Sequence, residues 1–365
     1  MSRGLVVRPG AQRQFASPRG TFCLVTTAEL ADDVLIDDGH AYSKTMVMVL
    51  RPGDDLGAML RSSVPAPADV LIACPGLFVT SPSPEDIGGE RRIAIMPCGS
   101  TPTTRENVRY FLDVIERTDP AAQEDRADRF FEAVSQSQDL RIVDVERETT
   151  CTFDPGDEDY SWNQQAGPLG WGEQQIAPAG ELSVLPTEIT SFDPTRVLAL
   201  SGSLTLRGWP IVHAGYEPEL APEQAELYDA LLPLYRNPVI VDIADGVIVA
   251  CRPASDTAAK AASALESLLN EDARYRTIWE LGFGINDAMS VVPSNCGLNE
   301  PYGGTNGVVH IGLGLTPFTR FALTFLCPDS TLTDHTGTSL IGRPLGSSPT
   351  RRRVKRTHSA SCGCH

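Results

Sequence analysis

Three short apolar runs stand out in the N-terminal third of the chain: Thr45 to Leu50 (TMVMVL), Val70 to Cys74 (VLIAC) and Arg92 to Met96 (RIAIM), each bounded by glycine, proline or aspartate. Apolar residues at successive positions suit strands buried on both faces. Two later stretches, Asn107 to Glu116 (NVRYFLDVIE) and Asp125 to Ser135 (DRADRFFEAVS), instead repeat apolar residues at spacings of three and four. That period lays one face of a helix on a sheet. Strands followed by helices predict an open α/β domain over residues 1–145, with Ile142 to Val145 (IVDV) as its last strand.

From 146 to 182 the periodicity lapses, and Gly, Pro, Asp, Trp and Gln predominate. The segment is expected to be a crossing loop or a linker. Residues 183–345 then read as a β-rich α+β domain. Leu198 to Arg207, Val239 to Asp242 and Gly246 to Cys251 are strand-like, with Asp245-Gly246 as the hairpin signal between the last two. Thr257 to Leu269 (TAAKAASALESLL) predicts a long helix capped by Ser255 or Asp256. Gly346 to His365 is rich in Ser, Arg and Gly without an apolar face, which predicts a disordered tail.

Composition then narrows the function. A chain of 365 residues, 41% hydrophobic, has material for two cores. Its formal net charge of -17 and pI of about 4.8 repel nucleic-acid phosphate and anionic lipid, so neither is an expected partner. No run approaches the roughly 20 apolar residues of a bilayer span. Met1 to Gly20 lacks the apolar stretch of a secretory signal, and the expected location is cytoplasmic. Nine cysteines are too sparse for a disulfide framework. Cys74, Cys98, Cys251 and Cys327 each follow an apolar run and are expected as small core residues.

Metal-assisted chemistry needs His, Asp or Glu gathered from separate elements, and three positions meet that requirement. Glu181 follows Ala177-Pro178-Ala179-Gly180 at the start of a strand. Glu280 interrupts Trp279-Glu280-Leu281-Gly282-Phe283-Gly284, and His310 interrupts Val308-Val309-His310-Ile311-Gly312-Leu313-Gly314. A carboxylate or imidazole inside such a run must be paired or ligated if buried, because an unpaired buried charge is costly. The interspersed glycines permit close approach of another strand or a ligand. His213, at a strand end, reads as a core or edge residue, and His40 as a solvated loop residue.

These segments carry a resemblance. A-P-A-G-E-L-S-V-L-P at 177–186 resembles the N-x-P-x-G-E-V-x-x-x-P element of the thermophilic metalloaminopeptidases typified by aminopeptidase T, whose fold the non-haem-iron 2,5-dihydroxypyridine dioxygenases share. Thr149 to Asp154, Val241 to Ile248, W-E-L-G-F-G-I-N at 279–286 and H-I-G-L-G at 310–314 resemble further elements of the family, in the same order. The resemblance spans roughly residues 140 to 335. It implies a two-domain thermophilic aminopeptidase-like fold and makes Glu181, Glu280 and His310 metal ligands. The family also places an H-x-D ligand pair on a later strand. Here the corresponding stretch, Phe318 to Leu326 (FTRFALTFL), has neither His nor Asp. A single-metal site of two carboxylates and one imidazole is therefore expected, with Glu300, Asp287, or Asp334 and His335 as substitutes for the absent pair.

Three functions follow as expectations. The leading one is metal-dependent cleavage of an amide or related bond in a small molecule or modified peptide, with zinc, manganese or iron held by Glu181, Glu280 and His310 and one of the two glutamates available as base. The second is a mononuclear non-haem-iron ring-cleaving dioxygenase. The third is a metal-free member that binds a peptide or partner in the same cleft. A place in specialised metabolism fits all three, and the resemblance implies a homodimer. The tail adds a separate motif: Cys362, Cys364 and His365 offer soft ligands for zinc or copper(I). The basic run Arg351 to Arg356 would dock an acidic partner.

Overall fold

Two of the three apolar runs do become strands buried on both faces. Ala68–Ala73 and Arg91–Ile95 lie inside a five-stranded, wholly parallel sheet with the order Gln174–Ile176, Arg91–Ile95, Ala68–Ala73, Thr21–Thr26, Lys44–Val49. Lys44–Val49, the third run, is instead a largely exposed edge strand, and the buried strand beside it, Thr21–Thr26, is an apolar run (FCLV between threonines) that was not predicted. Alternate residues feed two cores. Phe22, Leu24 and Leu71 pack with Val108, Phe111 and Ile115 of the helix Arg105–Arg117, whereas Val25, Val70 and Ile72 pack with Leu56 and Leu60 of the helix Leu56–Ser63. The computed structural model that shows this describes residues 4–346, apart from 78, 99–102, 158–159, 188–192, 194, 215–217 and 315–317. The basic run 351–356 and the tail residues Cys362, Cys364 and His365 lie outside the described residues.

A small parallel pair, Leu5–Val7 with Val34–Ile36, stands beside the five-stranded sheet, and two antiparallel sheets that share one core make up the rest. The six-stranded sheet has the order Pro210–His213, Ala322–Cys327, Val308–Leu313, Ile278–Gly284, Glu181–Leu185, Ser161–Gln165. The seven-stranded sheet runs Val247–Pro253, Val239–Ala244, Leu200–Leu206, Thr149–Phe153, Leu140–Asp144, Thr331–Asp334, Ser339–Ile341. Leu182, Phe283, Ile311 and Phe325 of the first meet Ile142, Phe153, Leu204 and Val241 of the second in that core. The fold class is the expected one: an open α/β layer and a β-rich α+β layer. The hairpin at Asp245-Gly246 forms as predicted, with φ of 47° and 74° at its two turn residues. The long helix, Ala259–Glu271, starts later than expected because Asp256–Ala258 forms a 3-10 turn first.

Two expectations are corrected. Leu140–Asp144 does not close the parallel sheet; it pairs with Thr149–Phe153 and Thr331–Asp334. The segment 146–182 is no structureless linker either, because its strands enter all three of the larger sheets. Two of them, Ser161–Gln165 and Gln174–Ile176, are short and polar and held chiefly by backbone pairing, so composition does not reveal them. Trp171, in the same segment, lies 4.1 Å from the guanidinium of Arg92, which is bonded to Asp69 by Nε at 2.7 Å and Nη2 at 2.8 Å. Tyr42 donates to the same carboxylate at 2.8 Å. No helix among the described residues is long and apolar enough to cross a membrane.

Candidate metal centre

Residues directly opposite in an antiparallel pair share one face of the sheet. In the six-stranded sheet Glu181 lies opposite Gly284, Ser183 opposite Gly282, Gly282 opposite His310, Glu280 opposite Gly312, and Gly312 opposite Thr324. All of these stand on the face turned away from the core, whose own face carries Leu182, Leu281, Phe283, Ile311 and Phe325. Glu280 reaches that face through an irregularity. Ile278 pairs with Leu313 and Glu280 with the next residue, Gly312, so Trp279 is an extra residue in its strand. The bulge shifts the alternation by one, and without it Glu280 would share the core face with Ile278.

Glycines open the space that the charged side chains occupy. A Cβ on Gly282 would lie 1.9 Å from His310 Nε2, so only glycine there lets the imidazole lie across the neighbouring strand. A Cβ on Gly284 would lie 2.3 Å from the Tyr302 carbonyl oxygen, which lets the loop after residue 286 press on the sheet. Gly180 precedes Glu181 with φ of +122°, and a Cβ there would lie 2.6 Å from Asn286 Cβ. Asn286 in turn donates to the Ala179 carbonyl and to Thr118 Oγ1.

One ligand atom each from Glu181, Glu280 and His310 falls within 4.8 Å of the others. His310 Nε2 is 3.7 Å from Glu181 Oε1, beyond hydrogen-bond length, and the ring is 0% exposed. Neither ring nitrogen has a hydrogen-bond partner. Burial and then the charge of Glu181 push the Glu280 carboxyl well above the usual carboxylate range, against His310 and a hydrogen bond from Ser183 that pull it down. Glu300 is raised likewise, by burial and then by Glu181. Burial alone would depress His310, but proximity to Glu181 and the charges of Glu280 and Glu300 raise it.

The structure thus brings together all three residues singled out in the body of the chain; of the substitutes, Glu300 is near enough to feel the charges of Glu181 and His310 but stands outside the group whose donor atoms converge. The others stand elsewhere. Asp287 is exposed and pairs with Arg126 at 3.0 Å; Asp334 accepts from Thr336 and Thr338 in a turn of the other sheet, with His335 exposed beside it. His213 lies on the same sheet face but opposite Ala322 on the outermost strand, its imidazole pushed down to about 4 by burial. His40 is in an exposed turn, as expected. Cys74, Cys98 and Cys327 are buried as expected, and Cys251 half-buried. Ser183 and Thr324 escaped the sequence reading; their signal was the two-residue alternation with Glu181 and with the apolar Leu323 and Phe325.

A family model described as crocagin biosynthetic protein CgnE/B matches residues 78–332. Among solved structures the chain is similar to 2,5-dihydroxypyridine dioxygenase from Pseudomonas putida KT2440, with a TM-score of 0.51 and 14% identity over 92% of this chain and 94% of that one. At that identity the likeness is one of fold. It agrees with the dioxygenase side of the resemblance; the aminopeptidase side, the hydrolase expectation, and zinc or manganese as the metal have no support from these comparisons. No curated protein matches the sequence.

Proposed function

Since the chain belongs to the crocagin biosynthetic protein CgnE/B family, we propose that it serves a biosynthetic pathway as a mononuclear non-haem-iron enzyme acting on a small molecule or modified peptide. The observation that carries this reading is the convergence of Glu181, Glu280 and His310 around an imidazole that is fully buried with both nitrogens unpartnered. Buried polar groups are almost always satisfied, so such a ring between two carboxylates fits a metal ligand. The donor set also fits: two anionic oxygens and one imidazole suit iron(II), although they invert the two-histidine, one-carboxylate composition common in such oxygenases. Iron held there supplies the redox chemistry for activating dioxygen.

The chain's own residues do the rest. Glu181 and Glu280 neutralise the cation, and Ser183 fixes the orientation of Glu280 through its hydroxyl. Gly282 keeps the His310 ring in place, and the core behind the sheet holds the strands in register. A second reading, a metal-free cleft that binds a peptide, is favoured by one observation: the strand Ala322–Cys327 presents Thr324 where the resemblance has ligands. Elemental analysis separates the two. Protein produced with iron supplied should hold about one equivalent, retained in a chain ending at Thr350 and lost in Glu280→Gln with folding preserved. Protein devoid of metal would leave the second reading, and zinc in place of iron would return the hydrolase.

A further inference from the structure

The helix Pro120–Ser135 carries a second polar constellation, apart from the sheet face of Glu181, Glu280 and His310. Arg126 and Arg129 stand three positions apart and Phe130 four after Arg126, so the three share one side of the helix. With Ile285, Asn306 and the strand Ser339–Ile341 they line a cavity of about 410 Å³. That volume falls within the roughly 300–1,000 Å³ of small-ligand sites. Its walls are fixed. The Arg126 guanidinium donates to the Ile285 carbonyl and, at 3.0 Å, to Asp287. Asn306 donates from its side chain to the Gly342 carbonyl at 2.7 Å, and its own carbonyl accepts from Gly342 N at 2.8 Å. Phe130, Ile285 and Ile341 supply a buried apolar floor.

In a molecule of net charge -17 this cavity has the opposite character. No carboxylate lines it, because Asp125, Asp128 and Glu132 of the same helix are exposed outside it. Arg129 makes no hydrogen bond or ion pair among the described residues. Two guanidiniums against the carboxylate of Asp287 leave a single positive charge, which suits a monoanion better than the dianion of a phosphate ester. Arg126 keeps further N–H groups beyond its two bonds. The Ser339 hydroxyl lies 3.5 Å from the Ile341 carbonyl oxygen and 3.4 Å from that of Gly342, too far for full O–H···O bonds, so it stays free to donate. We propose that the cavity binds a small organic carboxylate. Arg126 and Arg129 pair with its charge, Ser339 donates a hydrogen bond, and its apolar body lies on Ile285, Leu340 and Ile341. None of these residues belongs to the candidate metal centre, so the site stands whichever way that reading falls.

Benzoate and hexanoate are the probes, titrated calorimetrically into the full chain after chelator treatment so that no metal takes part. Native protein should bind at least one of them saturably, and the neutral amide of that acid about 10-fold more weakly, as the loss of a charge-assisted hydrogen bond requires. Arg129→Met should weaken binding by about 10-fold and Ser339→Ala by about 3-fold. Arg109→Met, which removes an exposed arginine away from the cavity, should bind as the native protein does. Thermal unfolding checks that each variant is folded, and Ser339→Ala carries the test if Arg129→Met is not. Native affinity in folded Arg129→Met, equal binding of acid and amide, or no saturable binding of either acid overturns the inference. So does inorganic phosphate that displaces the bound acid at equal concentration, because the site would then recognise anions without regard to an apolar body.

Discussion

At the scale of single residues, the centre depends as much on absent side chains as on ligands. Gly282 is the sharpest case, because the His310 ring occupies the place of its missing Cβ. Gly282→Ala must either expel the ring or push neighbouring central strands apart. We expect it to lose metal while remaining folded, with a destabilisation of about 1–3 kcal/mol, as overpacked sites show. Metal content and denaturant unfolding check both effects; retention of metal at native stability would show that the ring has room to move. The three candidate ligands were legible because each is a lone charge in an apolar run. Glu300 was legible only as one of several substitutes, since it follows Cys296-Gly297-Leu298-Asn299 in a loop with no periodicity and its burial depends on tethers to Val292 and Asn286. Ser183 and Thr324 are small polar residues common in any strand, so only their register marks them.

At the scale of elements, alternation decided which strands could be recognised. Ala68–Ala73 and Arg91–Ile95 are apolar enough to declare themselves; Ser161–Gln165 and Gln174–Ile176 are polar, short and held chiefly by backbone pairing. The bulge at Trp279 shows why a correct strand still leaves its faces undecided, because one inserted residue exchanges them. The segment that crosses between the sheets is anchored through Asp69, Arg92 and Trp171, with Asp69 0% and Arg92 3% exposed. Asp69→Ala would strand a buried guanidinium and take away the acceptor of Tyr42. The expected cost is about 3–5 kcal/mol. Equilibrium unfolding checks it, and limited proteolysis should find new cleavage near Trp171; a loss below about 1 kcal/mol would mean that water reaches Arg92 freely.

At the scale of the whole molecule, the raised carboxyls set a pH dependence that metal should cancel. In the metal-free protein Glu280, Glu300 and His310 all hold protons more tightly than they do in the unfolded chain. Between the ordinary carboxylate range and mildly alkaline pH the folded state therefore binds more protons, and stability falls as pH rises. Thermal midpoints of stripped protein should decline from about pH 5.5 to about pH 8.5. High salt should not abolish the decline, because it screens the -17 surface more than the buried cluster. Metal displaces the same protons, so loaded protein should lose the decline and bind more tightly toward high pH. A midpoint of stripped protein that rises across this window would contradict the buried cluster. The sequence by itself determined the elements whose apolar period is strong, the overall α/β then β-rich order, the acidic surface, and three charged residues that apolar runs could not tolerate unpaired. Tertiary structure alone decided that those three converge, that Thr324 bonds the loop-borne Glu300, and that a polar crossing segment ties the sheets together. The reason is physical: local period reports which side chains avoid water, whereas convergence depends on register, bulges and loop tethers between residues far apart in the chain, as Glu181 and His310 are.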